Sequence, residues 1–164
     1  MLLTNMKLLA KLASTQAPRA VVLVRLLVGA VFLSEGIQKF LFPGEVGAGR
    51  FTKIGLPLPE FFGPFVGSFE ITCGILVLLG LFTRLAVLPL LFIMAVAFFS
   101  TKLPILMNSG FWKMAHEGRT DFAMVLGAAF LLVVGAGAWS LDVLIFKSAA
   151  RGRQADRPSK EERH

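Results

Sequence analysis

Four side chains in this sequence have the types and spacing to move protons in an apolar setting: Glu35, Lys39, Glu70 and Asp121. Glu70 stands in the middle of an apolar run over residues 61–82 that contains no basic residue. A carboxylate at that depth in a membrane costs a few kcal/mol unless it is paired, protonated or turned toward a polar interior, so it marks a site. Gly63, Gly67, Glu70 and Gly74 recur at helical spacing on one face, and small residues there allow a second helix to come close. Glu35 and Lys39 are four residues apart with the acid first, the order that favours an ion pair along a helix. Arg25, Gly29, Phe32, Glu35, Gly36 and Lys39 fall within an arc of about 120° on that helix. Carboxylates beside an ammonium in an apolar pocket are suited to exchanging protons with a bound redox molecule near neutral pH.

These residues need elements to hold them at one depth, and the composition says which. The chain has 164 residues, 55% of them hydrophobic, with a mean hydropathy of +0.74. That is an integral membrane protein, expected to be all-α with four transmembrane helices in one bundle. The stretches 20–42, 61–82, 85–101 and 121–141 approach the roughly 20 residues that cross a bilayer. The third is the shortest and is expected to be broken by Pro89. The bundle takes residues 19–144 and leaves no separate soluble domain. Residues 1–18 read as an N-terminal interfacial segment, because Lys7 and Lys11 interrupt any signal-peptide core. Residues 145–164 read as a basic tail, disordered beyond Ala149.

The net charge of +7 is distributed as a topology signal and not as a nucleic-acid surface. Lys7, Lys11 and Arg19 precede the first span, Arg84 lies in the tight second turn, and Lys147, Arg151, Arg153, Arg157, Lys160 and Arg163 follow the fourth. The positive-inside rule then predicts both termini in the cytoplasm of a multi-pass protein of the inner (cytoplasmic) membrane. With that topology Glu35 and Lys39 fall in the outer third of their helix, and Glu70 about 13 Å below the outer surface. The three can meet. Asp121, Val125, Ala128, Leu132, Gly135, Trp139 and Asp142 are expected on one face of the fourth helix, with Asp121 at the outer rim and Asp142 at the inner end. Asp142 is placed to pair with Arg25 or Arg84, as a structural ion pair that locks helices. Two polar clusters follow, an inner basic one and an outer one in which three acids face the single deep cation Lys39.

The remaining features narrow the chemistry. Cys73 is alone, so no dithiol pair exists, and it reads as a small core residue. His116 and His164 lie in an outer loop and at the C-terminus, so no metal or haem site is expected inside the membrane, and there is no tyrosine to relay electrons. Residues 43–60, with Phe51, Ile54 and Leu56 among glycines and prolines, suit a lid over the bundle mouth. Phe111 and Trp112 suit interfacial anchors.

The segments "RLLVGAVFLSEGIQKF", "GLPLP", "VGSFEITCGILVLLGLFTRLA" and "GAGAWSLD", in that order, resemble the DoxX family of small four-helix membrane proteins across residues 19–144. The matching positions are Arg25, Glu35, Gly36, Lys39, Glu70, Gly74, Gly80, Arg84, Ser140, Leu141 and Asp142. The resemblance implies a role near quinone-coupled sulfur oxidation, as in a subunit of thiosulfate:quinone oxidoreductase, or in membrane oxidoreductase complexes handling oxidative or thiol stress.

Three functions stay open at this stage. The first is a quinone-associated subunit of an oxidoreductase system, with Glu35, Lys39 and Glu70 exchanging protons with quinone and Asp121 nearby. The second is a non-catalytic scaffold or assembly factor that recruits redox partners through the basic tail, alone or as a homo-oligomer. The third is a small proton-coupled carrier. In each the bilayer is a partner and nucleic acid is not.

Overall fold

The structure, a computed structural model, describes residues 17–145. The expected interfacial segment and basic tail lie outside the described residues apart from Ala17, Pro18 and Ile145. The described residues form helices and turns with no strand. In chain order the helices are α1 (Val21–Leu41), α2 (Ala48–Lys53), α3 (Pro59–Leu79), α4 (Thr83–Ala97), a π turn (Phe98–Lys102), α5 (Leu103–Ser109), α6 (Phe111–Glu117) and α7 (Arg119–Val134). Residues 141–145 add a final helical turn.

Among the described residues, three helical stretches are long and apolar enough to cross a membrane: Val21–Leu41, Pro59–Leu79 and Thr83–Ser109. Apolar runs of this length close their own backbone hydrogen bonds, which the bilayer cannot supply. The third differs from the sequence expectation, since it is the longest of the three at 27 residues and Pro89 sits inside α4 without ending it. It continues because Leu103, Ile105, Leu106 and Met107 extend the apolar pattern beyond Lys102. The π turn falls where Pro104 demands it. A proline ring collides with the carbonyl four residues back, here that of Ser100, and a wider coil relieves the clash.

α7 also departs from expectation. It has 16 residues, a rise of about 24 Å, and stops at Val134 where a helix to residue 141 was predicted. Gly135 and Gly137 have φ of +87° and +79°, conformations open to glycine, and they turn the chain out of the helix. Trp139 is therefore exposed, and Asp142 is not on the face of Asp121.

α1 packs on α3, α3 on α4, α4 on α7 and α7 on α1, closing a ring of four. The α1–α3 seam is the tightest, and glycines make it so. A Cβ on Gly29 would lie 2.9 Å from the Gly74 carbonyl, and one on Gly36 2.8 Å from that of Gly67. The backbones touch, as small residues permit in membranes. Val28, Val77, Val87, Leu90, Ala128 and Leu131 fill the centre of the ring.

One end of the bundle is closed by a polar knot. Arg25, only 3% exposed, donates Nε–H to the Val77 carbonyl at 2.9 Å, Nη2–H to Leu78 at 2.6 Å, and Nη1–H to Ala136 at 3.0 Å and to Trp139. It thus caps the C-terminus of α3 and holds the 135–140 segment against it. Asp142 accepts the backbone N–H of Phe82 at 2.9 Å and that of Thr83, at the start of α4. Its own N–H donates to the Gly80 carbonyl at 3.0 Å. Arg84 donates to the Val133 carbonyl at 3.0 Å, at the end of α7. Of the two partners predicted for Asp142, Arg25 or Arg84, Arg25 makes no salt bridge with it, although the two charges attract at longer range. Loose carbonyls at helix ends and loose N–H groups at a helix start are better partners, because each would otherwise be buried unpaired.

Candidate functional site

At the other end of the ring the helices enclose a cavity of about 700 Å³. Glu35 and Lys39 reach it from α1, Glu70 from α3, Lys102 from the π turn and Asp121 from the first turn of α7. Arg50 approaches from α2. The four residues singled out from the sequence therefore line one space.

The glycine seam sets its deepest polar point. α1 and α3 run antiparallel and touch at Gly36 and Gly67, so Lys39 and Glu70, each three residues further on, flank that contact from opposite sides, and their side chains, each leaning back toward its own helix N-terminus, meet across the seam. Lys39 Nζ stands 2.6 Å from Glu70 Oε2, and Glu70 is 4% exposed. The pair along α1 between Glu35 and Lys39 is not the one formed. Lys39 crosses to Glu70, the more deeply desolvated carboxylate, which leaves Glu35 exposed and without an ion pair among the described residues. An unpaired charge costs most where water is least available.

A second polar point lies nearer the mouth. Lys102 Nζ is 2.8 Å from Asp121 Oδ2 and also donates to the Glu117 carbonyl at 3.1 Å. Glu70 is ten residues before Gly80 and Lys102 twenty after Phe82, which puts Lys102 about 15 Å farther from the turn that joins α3 and α4. The expected excess of acid is corrected here. Glu35, Glu70 and Asp121 are matched by Lys39, Arg50 and Lys102 on the same lining. Lys102 falls just beyond the predicted stretch 85–101, and the apolar residues after it carry the helix on to Ser109.

Between the two polar points the wall is apolar and largely aromatic, with Phe32, Phe62, Phe65, Phe69 and Phe92 on it. The roof is α2 and its flanks, through Val46, Phe51, Ile54 and Leu56. That segment lies down on α3 through glycine, since a Cβ on Gly63 would be 2.8 Å from the Ala48 nitrogen, and it folds back on itself where one on Gly49 would be 2.0 Å from the Gly44 carbonyl. Among the described residues no group of His, Cys, Asp and Glu is arranged to hold a metal ion. Cys73 is buried on the glycine face of α3 and takes no part in the cavity lining.

The profile of the DoxX family matches residues 20–103, which contain α1 to α4 and most of the charged lining. The chain belongs to the DoxX family. A second profile, described as TQO small subunit DoxD, matches residues 64–155. This DoxX chain is 51% identical over 145 residues to an uncharacterised membrane protein of Mycobacterium tuberculosis, covering 85% of the chain and 89% of that relative. It is 28% identical over 132 residues to CatD of Bacillus subtilis, a protein named provisionally as an oxidoreductase, covering 79% and 90% of the two. No solved structure matches it significantly. Within the DoxX match, Arg25 and Arg84 belong to the knot, while Glu35, Lys39 and Glu70 belong to the cavity.

Proposed function

We propose that this DoxX chain is a subunit of, or accessory to, a quinone-linked oxidoreductase system of the cytoplasmic membrane, and that the Lys39–Glu70 pair is its quinone site. The observation that carries the reading is a buried ion pair on the wall of a cavity of about 700 Å³ whose other walls are mostly apolar and aromatic. That size and lining suit a flat organic molecule with few polar atoms. A quinone held there would take up two electrons and two protons on reduction. Lys39 donates a hydrogen bond toward a carbonyl oxygen, Glu70 exchanges a proton at Oε2, and Glu35, exposed on the same lining, passes protons between Glu70 and the outer water. Phe62, Phe65 and Phe69 offer ring faces and edges to the flat body. Electrons come from a partner redox subunit. The names DoxD and CatD point toward the same class of chemistry.

In this reading α7 with the 135–140 segment makes a fourth crossing, and both termini lie in the cytoplasm beside Arg19 and Arg84, as the positive-inside rule favours. The cavity then opens on the outer side. Membranes carrying Glu70→Gln should lose most quinone-dependent turnover at unchanged protein level. Equal turnover in the two membranes would sink the proposal.

A further inference from the structure

Several lining residues of the cavity are also surface residues of the bundle. Phe65 and Phe69 of α3 are 45% and 40% exposed, and Phe92 and Val96 of α4 are 70% and 37% exposed, yet all four border the cavity that contains Lys39 and Glu70. Counting outward from the turn at residues 80–82, Phe69 and Ile93 stand at one level, and Phe65 and Ala97 at the next. The four side chains therefore frame one opening between α3 and α4 on the membrane-facing side of the bundle. Phe61, Phe65 and Phe69 continue it as an aromatic ladder with centroids 5.5 Å and 5.0 Å apart. No charged residue lies on that edge, whereas the mouth under α2 is rimmed by Arg50, Lys102 and Asp121. The cavity has two entrances of opposite chemistry, one apolar and lateral, one charged.

From this we infer that the cavity takes its ligand sideways from the bilayer through the α3–α4 opening, and that the ligand is a long-chain quinone whose apolar chain stays between Phe65, Phe69, Phe92 and Val96 while its head meets Lys39 and Glu70. The inference rests on the quinone reading and adds the route and the chain subsite. An apolar chain left in this slot need not cross the charged mouth or lose its lipid surroundings, so a lateral route avoids both costs. A short quinone without a chain has no use for the slot and reaches the head site from either side.

The test compares decylubiquinone with its chainless analogue 2,3-dimethoxy-5-methyl-1,4-benzoquinone, binding to the full chain in nanodiscs. Val96→Trp narrows the opening, and Phe99→Trp changes an exposed position off the cavity lining. Each probe's partition into the bilayer cancels when variants are compared with the same probe. Val96→Trp should weaken decylubiquinone about tenfold, or 1.4 kcal/mol, and leave the chainless probe within about twofold, while Phe99→Trp changes neither. Phe92→Trp, at the more exposed side of the same opening, is the second block should Val96→Trp not fold. Equal weakening of both probes, or no change in either, would overturn the route while the head site stands. Failure of both probes to bind the wild type would remove the quinone reading and the route together.

Discussion

The two ends of this bundle use the same kinds of side chain for opposite purposes. At the knot Arg25 and Asp142 are buried, and their bonds go to backbone: carbonyls ending α3 and in the 135–140 segment for the arginine, N–H groups starting α4 for the acid. At the cavity Glu70 is as deep and Lys39 is partly buried, but they bond each other, with space in front of them. A charge tied to helix ends is committed to the fold. A pair closed only on itself can open for a ligand, because each member keeps a partner until the ligand replaces it. The difference lies in the bonding partners more than in the burial.

The largest effect should come from breaking the knot. Arg25→Met removes the donors of four carbonyls at once and should cost about 3 kcal/mol or more, read as a much lower Tm in nanodiscs. The protein that remains folded should bind quinone with the wild-type Kd. An unchanged Tm would show that the knot is dispensable.

Gly36→Val probes the seam that serves both regions. Its side chain would meet the Gly67 carbonyl and force α1 from α3, costing about 1–3 kcal/mol. It also moves Lys39 away from Glu70, so quinone binding should fall together with Tm. A drop in only one of the two would separate seam from site.

Lys39→Met sharpens the comparison from the cavity side. It strands Glu70 without its cation and should lower stability by about 1–2 kcal/mol while abolishing quinone binding. Adding Glu70→Gln should restore the Tm but not the binding. Recovery of binding in the double variant would mean that the pair merely ties helices. The smallest effect is expected from Lys102→Met, whose partner Asp121 is partly exposed: about 0.5 kcal/mol in stability and little change in quinone affinity.

Much of this was legible in the sequence, and the exceptions share a cause. Helical spacing placed Gly63, Gly67, Glu70 and Gly74 on one face of α3 and Gly29, Gly36 and Lys39 on one face of α1, and those faces meet. Period and residue size are local properties, so they survive into the fold. The depth of Glu70 pointed to a polar interior for the same reason. The choice of partner was not local: Lys39 prefers Glu70 to Glu35 because of burial that only the packed ring creates. Lys102 reads as a boundary in the sequence because it is a charge at the end of an apolar run, whereas the π turn carries the helix past it. The end of α7 could have been read from "GAG" after the apolar run, a helix stop that its overall hydropathy concealed.

The central claim is that Lys39 and Glu70 form a ligand site and not a second knot. A photoactivatable azidoquinone, crosslinked to the purified chain in nanodiscs and mapped by mass spectrometry, tests it most directly. The label should fall on residues lining the cavity and disappear in Glu70→Gln, and also in the Lys39→Met, Glu70→Gln double variant, whose Tm is that of the wild type. Equal labelling of wild type and Glu70→Gln, or label spread over lipid-facing residues such as Phe99, would contradict the account.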